Sequence, residues 1–96
     1  MIIVRDTFHA KYGRGSELVA LFKEFREKIA QQYAVRLMTD ASGRFFTVVT
    51  ETEMESIGEW ERVSKEGFND PEFAGWFERM IPLVENGHRE FYNVEG

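Results

Sequence analysis

The hydrophobic pattern of this chain changes period several times, and the order of those changes limits the fold more than any single motif does. Residues 2–9, Ile-Ile-Val-Arg-Asp-Thr-Phe-His, are rich in β-branched and apolar side chains and read as a strand. The paired glycines of Lys11-Tyr12-Gly13-Arg14-Gly15 break it with a turn. Leu18, Leu21, Phe22, Phe25 and Ile29 then recur at three- and four-residue spacing, with Glu17, Lys23, Glu24, Arg26, Glu27 and Lys28 between them. That is an amphipathic helix, for which Ser16 offers a capping oxygen.

The period returns to two over 34–39, a second strand. Asp40-Ala41-Ser42-Gly43 makes a tight connection, and Phe45-Phe46-Thr47-Val48-Val49-Thr50 is the strongest strand signal in the chain. Ser56 followed by Glu59 matches a capping box, with Ile57, Trp60 and Val63 as the helical stripe and Gly67 as its end. Asp70-Pro71 starts a further helix carrying Phe73, Trp76, Phe77, Met80 and Ile81, which Pro82 kinks or ends because proline has no N–H to donate. Gly87 opens a last strand over 88–94.

The order βαββαβ over 1–96 predicts a single ferredoxin-like α+β domain, a four-stranded antiparallel sheet with its helices on one face. The right-handed crossover rule puts the first and third strands in the centre. Alternation then gives both faces of those strands large apolar groups. Phe45 and Val49 point one way and Phe46 and Val48 the other; Ile2, Val4 and Phe8 share one face and Ile3 takes the other. The helices can cover one face only, so the second is expected to pack on the sheet of a second copy in a two-fold homodimer. The alternative is a monomer with a few exposed apolar residues.

Composition excludes several classes. A formal net charge of −5 without a basic stripe argues against nucleic-acid binding. The absence of cysteine removes disulfides, thiolate zinc sites, iron–sulfur clusters and cysteine nucleophiles, and fits a cytoplasmic protein. Charge interrupts the apolar run of residues 1–9, which is too short for a signal peptide, and no membrane-spanning stretch follows. Ser16, Ser42, Ser56 and Ser64 lack a nucleophile elbow, and Gly13-Arg14-Gly15 lacks the rest of a phosphate loop. The acidic run Glu51-Thr52-Glu53-Met54-Glu55 reads as a solvated face leading into a helix.

The run Phe8…Gly13…Gly15-Ser16-Glu17-Leu18, the hairpin Ser42-Gly43-Arg44-Phe45-Phe46 and the helix start Asp70-Pro71-Glu72-Phe73 together resemble the dimeric α/β-barrel superfamily. That group includes antibiotic-biosynthesis-monooxygenase-like, stress-responsive and NIPSNAP-like proteins. The resemblance implies a barrel formed by two protomers, with a small-molecule pocket between each sheet and its own helices. It also implies cofactor-free oxidation or rearrangement of an aromatic or polyketide-like substrate, with no cofactor bound.

The candidate residues follow from both readings. His9 and His88, the only histidines, fall on neighbouring antiparallel strands and could meet. Paired imidazoles can bind a metal or move a proton, with Glu90 or Asp6 as a conceivable third group, whereas the plainer reading has both in solvent. His9 is the candidate base, with His88 or Asp6 behind it, and no metal site is assigned. If His9 lies opposite His88, Arg5 and Glu90 come within pairing reach; a one-residue slip brings Asp6 near Tyr92 instead. Phe46, Trp60, Trp76 and Phe77 are candidate walls for a small apolar or aromatic ligand, although aromatics at helical spacing are more often plain core. Arg36, on the edge strand, is the candidate anion contact, or simply a charge that discourages edge pairing. The competing reading is a non-catalytic dimeric interaction module, with a cavity filled by its own side chains.

Overall fold

The computed structural model describes residues 1–29 and 32–96. The Ile29 side chain, last in the predicted stripe of the first helix, lies outside the described part. The elements run β1 (Ile2–Ala10), α1 (Gly15–Ile29), β2 (Val35–Thr39), β3 (Thr47–Met54), α2 (Ile57–Phe68), α3 (Pro71–Met80), a 3-10 turn (Ile81–Leu83) and β4 (Val84–Asn93). The sheet order is β2-β3-β1-β4 with every pair antiparallel, so β1 and β3 are central as expected. This is the predicted ferredoxin-like α+β arrangement. Among the described residues no helix is long and apolar enough to cross a membrane.

Local signals explain most boundaries. Ser56 caps α2 by accepting from the Glu59 N–H at 3.1 Å, and Asp70 caps α3 by accepting from the Glu72 N–H at 2.9 Å, with Pro71 in the first turn. Pro82 closes α3 through the 3-10 turn. Four expectations are corrected. Helix α1 begins at Gly15, so Ser16 sits in its first turn and does not cap it. Strand β4 begins at Val84, so Gly87 lies inside it, where a β-carbon would come 2.6 Å from the Thr7 carbonyl oxygen. Strand β3 runs on to Met54, so Glu51 and Glu53 are strand residues and not the approach to a helix.

The fourth correction concerns Phe45 and Phe46. Both precede β3; Phe45 is exposed, and Phe46 takes a left-handed backbone with φ 59°. The conformation costs energy for a residue with a β-carbon and is held from outside. The Phe46 carbonyl accepts from the Ala10 N–H at 2.8 Å, and its ring packs edge-on against Tyr12. Gly15 makes room for it, since a β-carbon there would stand 3.1 Å from the ring. Neither phenylalanine therefore contributes to a two-faced apolar strand.

Registers assign the faces. Ile2, Val4, Asp6, Phe8 and Ala10 of β1 look toward the helices together with Val48, Thr50, Thr52 and Met54 of β3. The helix layer buries two separate clusters on this face. One joins Ala10, Val48, Met80 and Leu83 to Leu18, Leu21 and Phe22 of α1. The other joins Ile2, Val4 and Met54 to the half-buried Tyr33, Trp60 and Val63. Between them runs a polar rung across the sheet, Thr50–Asp6–Arg89, in direct register. The open face carries Ile3, Met38 and Val49 among Arg5, Arg36, Glu51, Glu53, Glu90 and the two histidines.

Candidate functional site

An aspartate on the helix side of a central strand must be paired or reach water. Asp6 does both. Its Oδ1 accepts from Arg89 Nε of β4 at 2.6 Å, and its side chain keeps 22% exposure. Burial pushes the Asp6 carboxyl up from its usual range, and the Arg89 guanidinium offsets only part of that. The Arg89 guanidinium in turn lies over the Trp60 ring, 4.7 Å from its centroid, and Phe91 meets the same ring edge-on at 5.1 Å. Helix α2 buries no residue completely and β4 is exposed along most of its length, so this group lies under a helix without being sealed by it.

Arg89 was not among the residues singled out from sequence. The signal was present: β4 alternates, and Gly87, Arg89 and Phe91 fall on its inward positions, so an arginine there needed a partner. Neither expected register occurs, since His9 lies opposite Asn86 and not His88; Glu90 does stand opposite Arg5, but the Arg5 Nε donates to Glu51 Oε2 at 2.7 Å. Asp6 lies opposite Arg89 and not near Tyr92.

The three residues expected to act together are split by the sheet. Asp6 points to the helices, while His9 and His88 share the open face, with ring centroids 6.3 Å apart. His9 is opposite Asn86, and Thr7 is opposite His88, so the imidazoles are diagonal neighbours. A bulge between His9 and Ala10 leaves Glu85 as the extra residue of β4. Thr47 Oγ1 donates to the Arg44 carbonyl at 2.9 Å, so at His9 it can only accept, and Nδ1 carries the proton of that 3.2 Å contact. His9 Nε2 therefore bears a lone pair. His9 is only 9% exposed, although it stands on the face away from the helices. Loss of water pushes its pKa down, Arg44 and His88 add to that, and Glu85 opposes it.

The remaining candidates lie apart. Trp76 is built into the core, its Nε1 donating to the Leu21 carbonyl at 2.8 Å and its ring packed on Phe22, Phe25 and Phe73. Phe77 stacks on Phe73 at the outer edge of α3. Phe46 lines an open groove of about 760 Å³ between α1 and the β2–β3 end, beside Ser16, Lys23 and Asp40. Arg36 lines a second open groove along the β2 edge, with Arg26, Tyr33 and Glu53. Of the four expected wall residues, Trp60 alone stands beside the Asp6–Arg89 pair.

No protein-family model matches the sequence, and no curated protein matches it either. Solved structures do match. A NIPSNAP domain protein from Burkholderia xenovorans superposes with a TM-score of 0.88 at 18% identity, over 99% of this chain and 95% of that one. A NIPSNAP family protein from Agrobacterium tumefaciens gives 0.84 at 14% identity, over 96% and 90%. SnoaB, a cofactor-independent oxygenase from Streptomyces nogalater, gives 0.74 at 12% identity, over 99% and 93%. The expected likeness to NIPSNAP-like and monooxygenase-like proteins therefore holds, and at these identities it is a likeness of fold.

Proposed function

We propose that this chain binds a flat, hydroxylated aromatic or polyketide-like molecule between its sheet and α2, and oxidises it without a cofactor. The observation that carries this reading is the Asp6–Arg89–Trp60 group: a carboxylate of raised pKa, a cation and a flat ring, all solvent-reachable beneath one helix. A carboxyl shifted toward neutral pH is a better proton acceptor at physiological pH. Asp6 takes a proton from an acidic C–H of the ligand, Arg89 holds the resulting anion, and Trp60 stacks on the ring system. The anion supplies the electrons to dioxygen. A CH₂ becomes C=O with one oxygen atom, and the other leaves as water with the two hydrogens. His9, on the far side of the sheet, takes no part in this step.

Titration of a hydroxyanthrone without oxygen, followed by Trp60 fluorescence in a Trp76→Phe background, tests the binding step. Quenching is expected, and Arg89→Gln is expected to weaken binding at least tenfold. Equal binding by Arg89→Gln overturns the site. Admitting air should then convert the bound anthrone to quinone, and Asp6→Asn should stop it. The second reading, a non-catalytic interaction module, is favoured by one feature, the carboxylate of Asp6 already being paired with Arg89. Binding with no oxygen uptake decides for it.

A second copy covering the open face belongs to the same proposal. The half-buried Ile3, Met38 and Val49 support it. Light scattering at micromolar concentration should give about twice the 11.3 kDa chain mass, and a monomer would overturn it.

A further inference from the structure

His9 carries, on one ring nitrogen, the kind of partner that orients an imidazole for coordination, and His88 has a carboxylate within ion-pair reach of one of its own. His9 Nδ1 gives its proton to Thr47 Oγ1, which is itself fixed by the Arg44 carbonyl. His88 Nε2 stands 3.5 Å from Glu90 Oε1, and the other oxygen of Glu90 accepts from the Tyr92 hydroxyl at 2.9 Å. Metal-ligating histidines are held in this way, the second nitrogen donating to a hydroxyl, carbonyl or carboxylate, so that the first keeps its lone pair for the ion. Here the two nitrogens left over are His9 Nε2 and His88 Nδ1. We propose that His9 and His88 chelate one transition-metal ion of the Zn²⁺, Ni²⁺ or Cu²⁺ class on the open face of the sheet.

The spacing fits. A metal–nitrogen bond of about 2.1 Å plus roughly 1.1 Å from nitrogen to ring centre allows two ligating rings up to about 6.4 Å between centroids. The observed separation is 6.3 Å. A tetrahedral angle draws the rings about 1 Å closer, and His88, with 56% of its side chain exposed and only the long contact to Glu90 upon it, can move to close that distance. His9 supplies the rigid half, set beside the bulge that displaces Glu85. Arg44 opposes positive charge at His9, and Glu85 offsets part of that. No group of three or more His, Asp or Glu side chains with metal-binding geometry occurs among the described residues, so the ion's other positions belong to water or to a second copy. Imidazole nitrogens select these metals over Mg²⁺ and Ca²⁺, which prefer oxygen. The site is separate from Asp6–Arg89–Trp60 and stands or falls without it.

Calorimetric titration of the untagged full chain with Zn²⁺ tests the proposal. One ion per chain is expected, undisturbed by millimolar Mg²⁺, with affinity falling at least tenfold in His88→Asn. Because His88 is exposed, that variant keeps the fold; His9→Asn is the second variant, read only if its circular dichroism matches the parent. With Cu²⁺, the electron paramagnetic resonance spectrum should show coupling to two imidazole nitrogens in the parent and one in His88→Asn. No uptake of Zn²⁺, displacement by Mg²⁺, parental affinity in His88→Asn, or a single nitrogen in the parent would each overturn it.

Discussion

The helix face of the sheet has two ends that are built differently. At one end α1 and α3 close over Ala10, Val48 and Leu83 with Leu18, Leu21, Phe22 and Met80 in one apolar cluster. At the other, α2 touches the sheet through half-buried Trp60 and Val63, buries no residue of its own completely, and stands beside an aspartate–arginine pair. The first end spends its side chains on exclusion of water. The second keeps charge within reach of solvent, which weakens packing and leaves groups able to meet a ligand. Tight apolar packing and paired charge are thus set at opposite ends of one sheet, with the rung Thr50–Asp6–Arg89 as the border.

The largest effect expected from this contrast is at Leu18, the most completely buried apolar residue among those described. Leu18→Ala removes contacts that no neighbour can restore, at a cost of about 2–5 kcal/mol. Urea unfolding should show it as a lower midpoint with unchanged slope. A cost below about 1 kcal/mol would mean that this end is no tighter than the other.

What the sequence revealed follows the same division. The α1 stripe, the caps of α2 and α3 and the central positions of β1 and β3 were legible, because each rests on local periodicity or on a chain-order rule. The start of β3 was not. Phe45-Phe46 has strand composition, and only the carbonyl bond to Ala10 and the space at Gly15 turn it into a left-handed corner. That error inflated the apolar content of the open face. The site suffered in another way. His9, His88 and Asp6 are close in the chain or across strands, yet strand alternation sends Asp6 to the helices and the histidines away from them. Arg89 went unremarked because its partner lies 83 positions earlier in the chain.

A smaller effect separates local from global stability. Ser56→Ala removes the bond to the Glu59 N–H, about 1 kcal/mol for a cap of this kind. At an end with no fully buried helix residue, that loss should appear as faster amide exchange across α2, with α1 unaffected. If α1 amides speed up equally, the two ends unfold as one and the contrast fails.

The smallest change in stability is expected at Asp6, and its sign is the sharpest test. Burial holds the folded-state pKa of Asp6 above its ordinary 3.8 despite Arg89. A folded state that binds the proton more tightly than the unfolded chain is favoured below the unfolded pKa, and loses that advantage as pH rises through the folded value. At neutral pH the ionised carboxylate therefore costs more in lost hydration than the arginine returns. Asp6→Asn keeps the shape and removes the charge, so it should leave the melting temperature unchanged or raise it at pH 7. The difference from the parent should shrink as the pH is lowered toward 4. A clear loss of stability at pH 7 would make Asp6–Arg89 a structural pair and α2's end a second core. A stable variant that no longer turns over the anthrone would place the carboxylate there for its chemistry, a charge kept at the border where the packing is loosest.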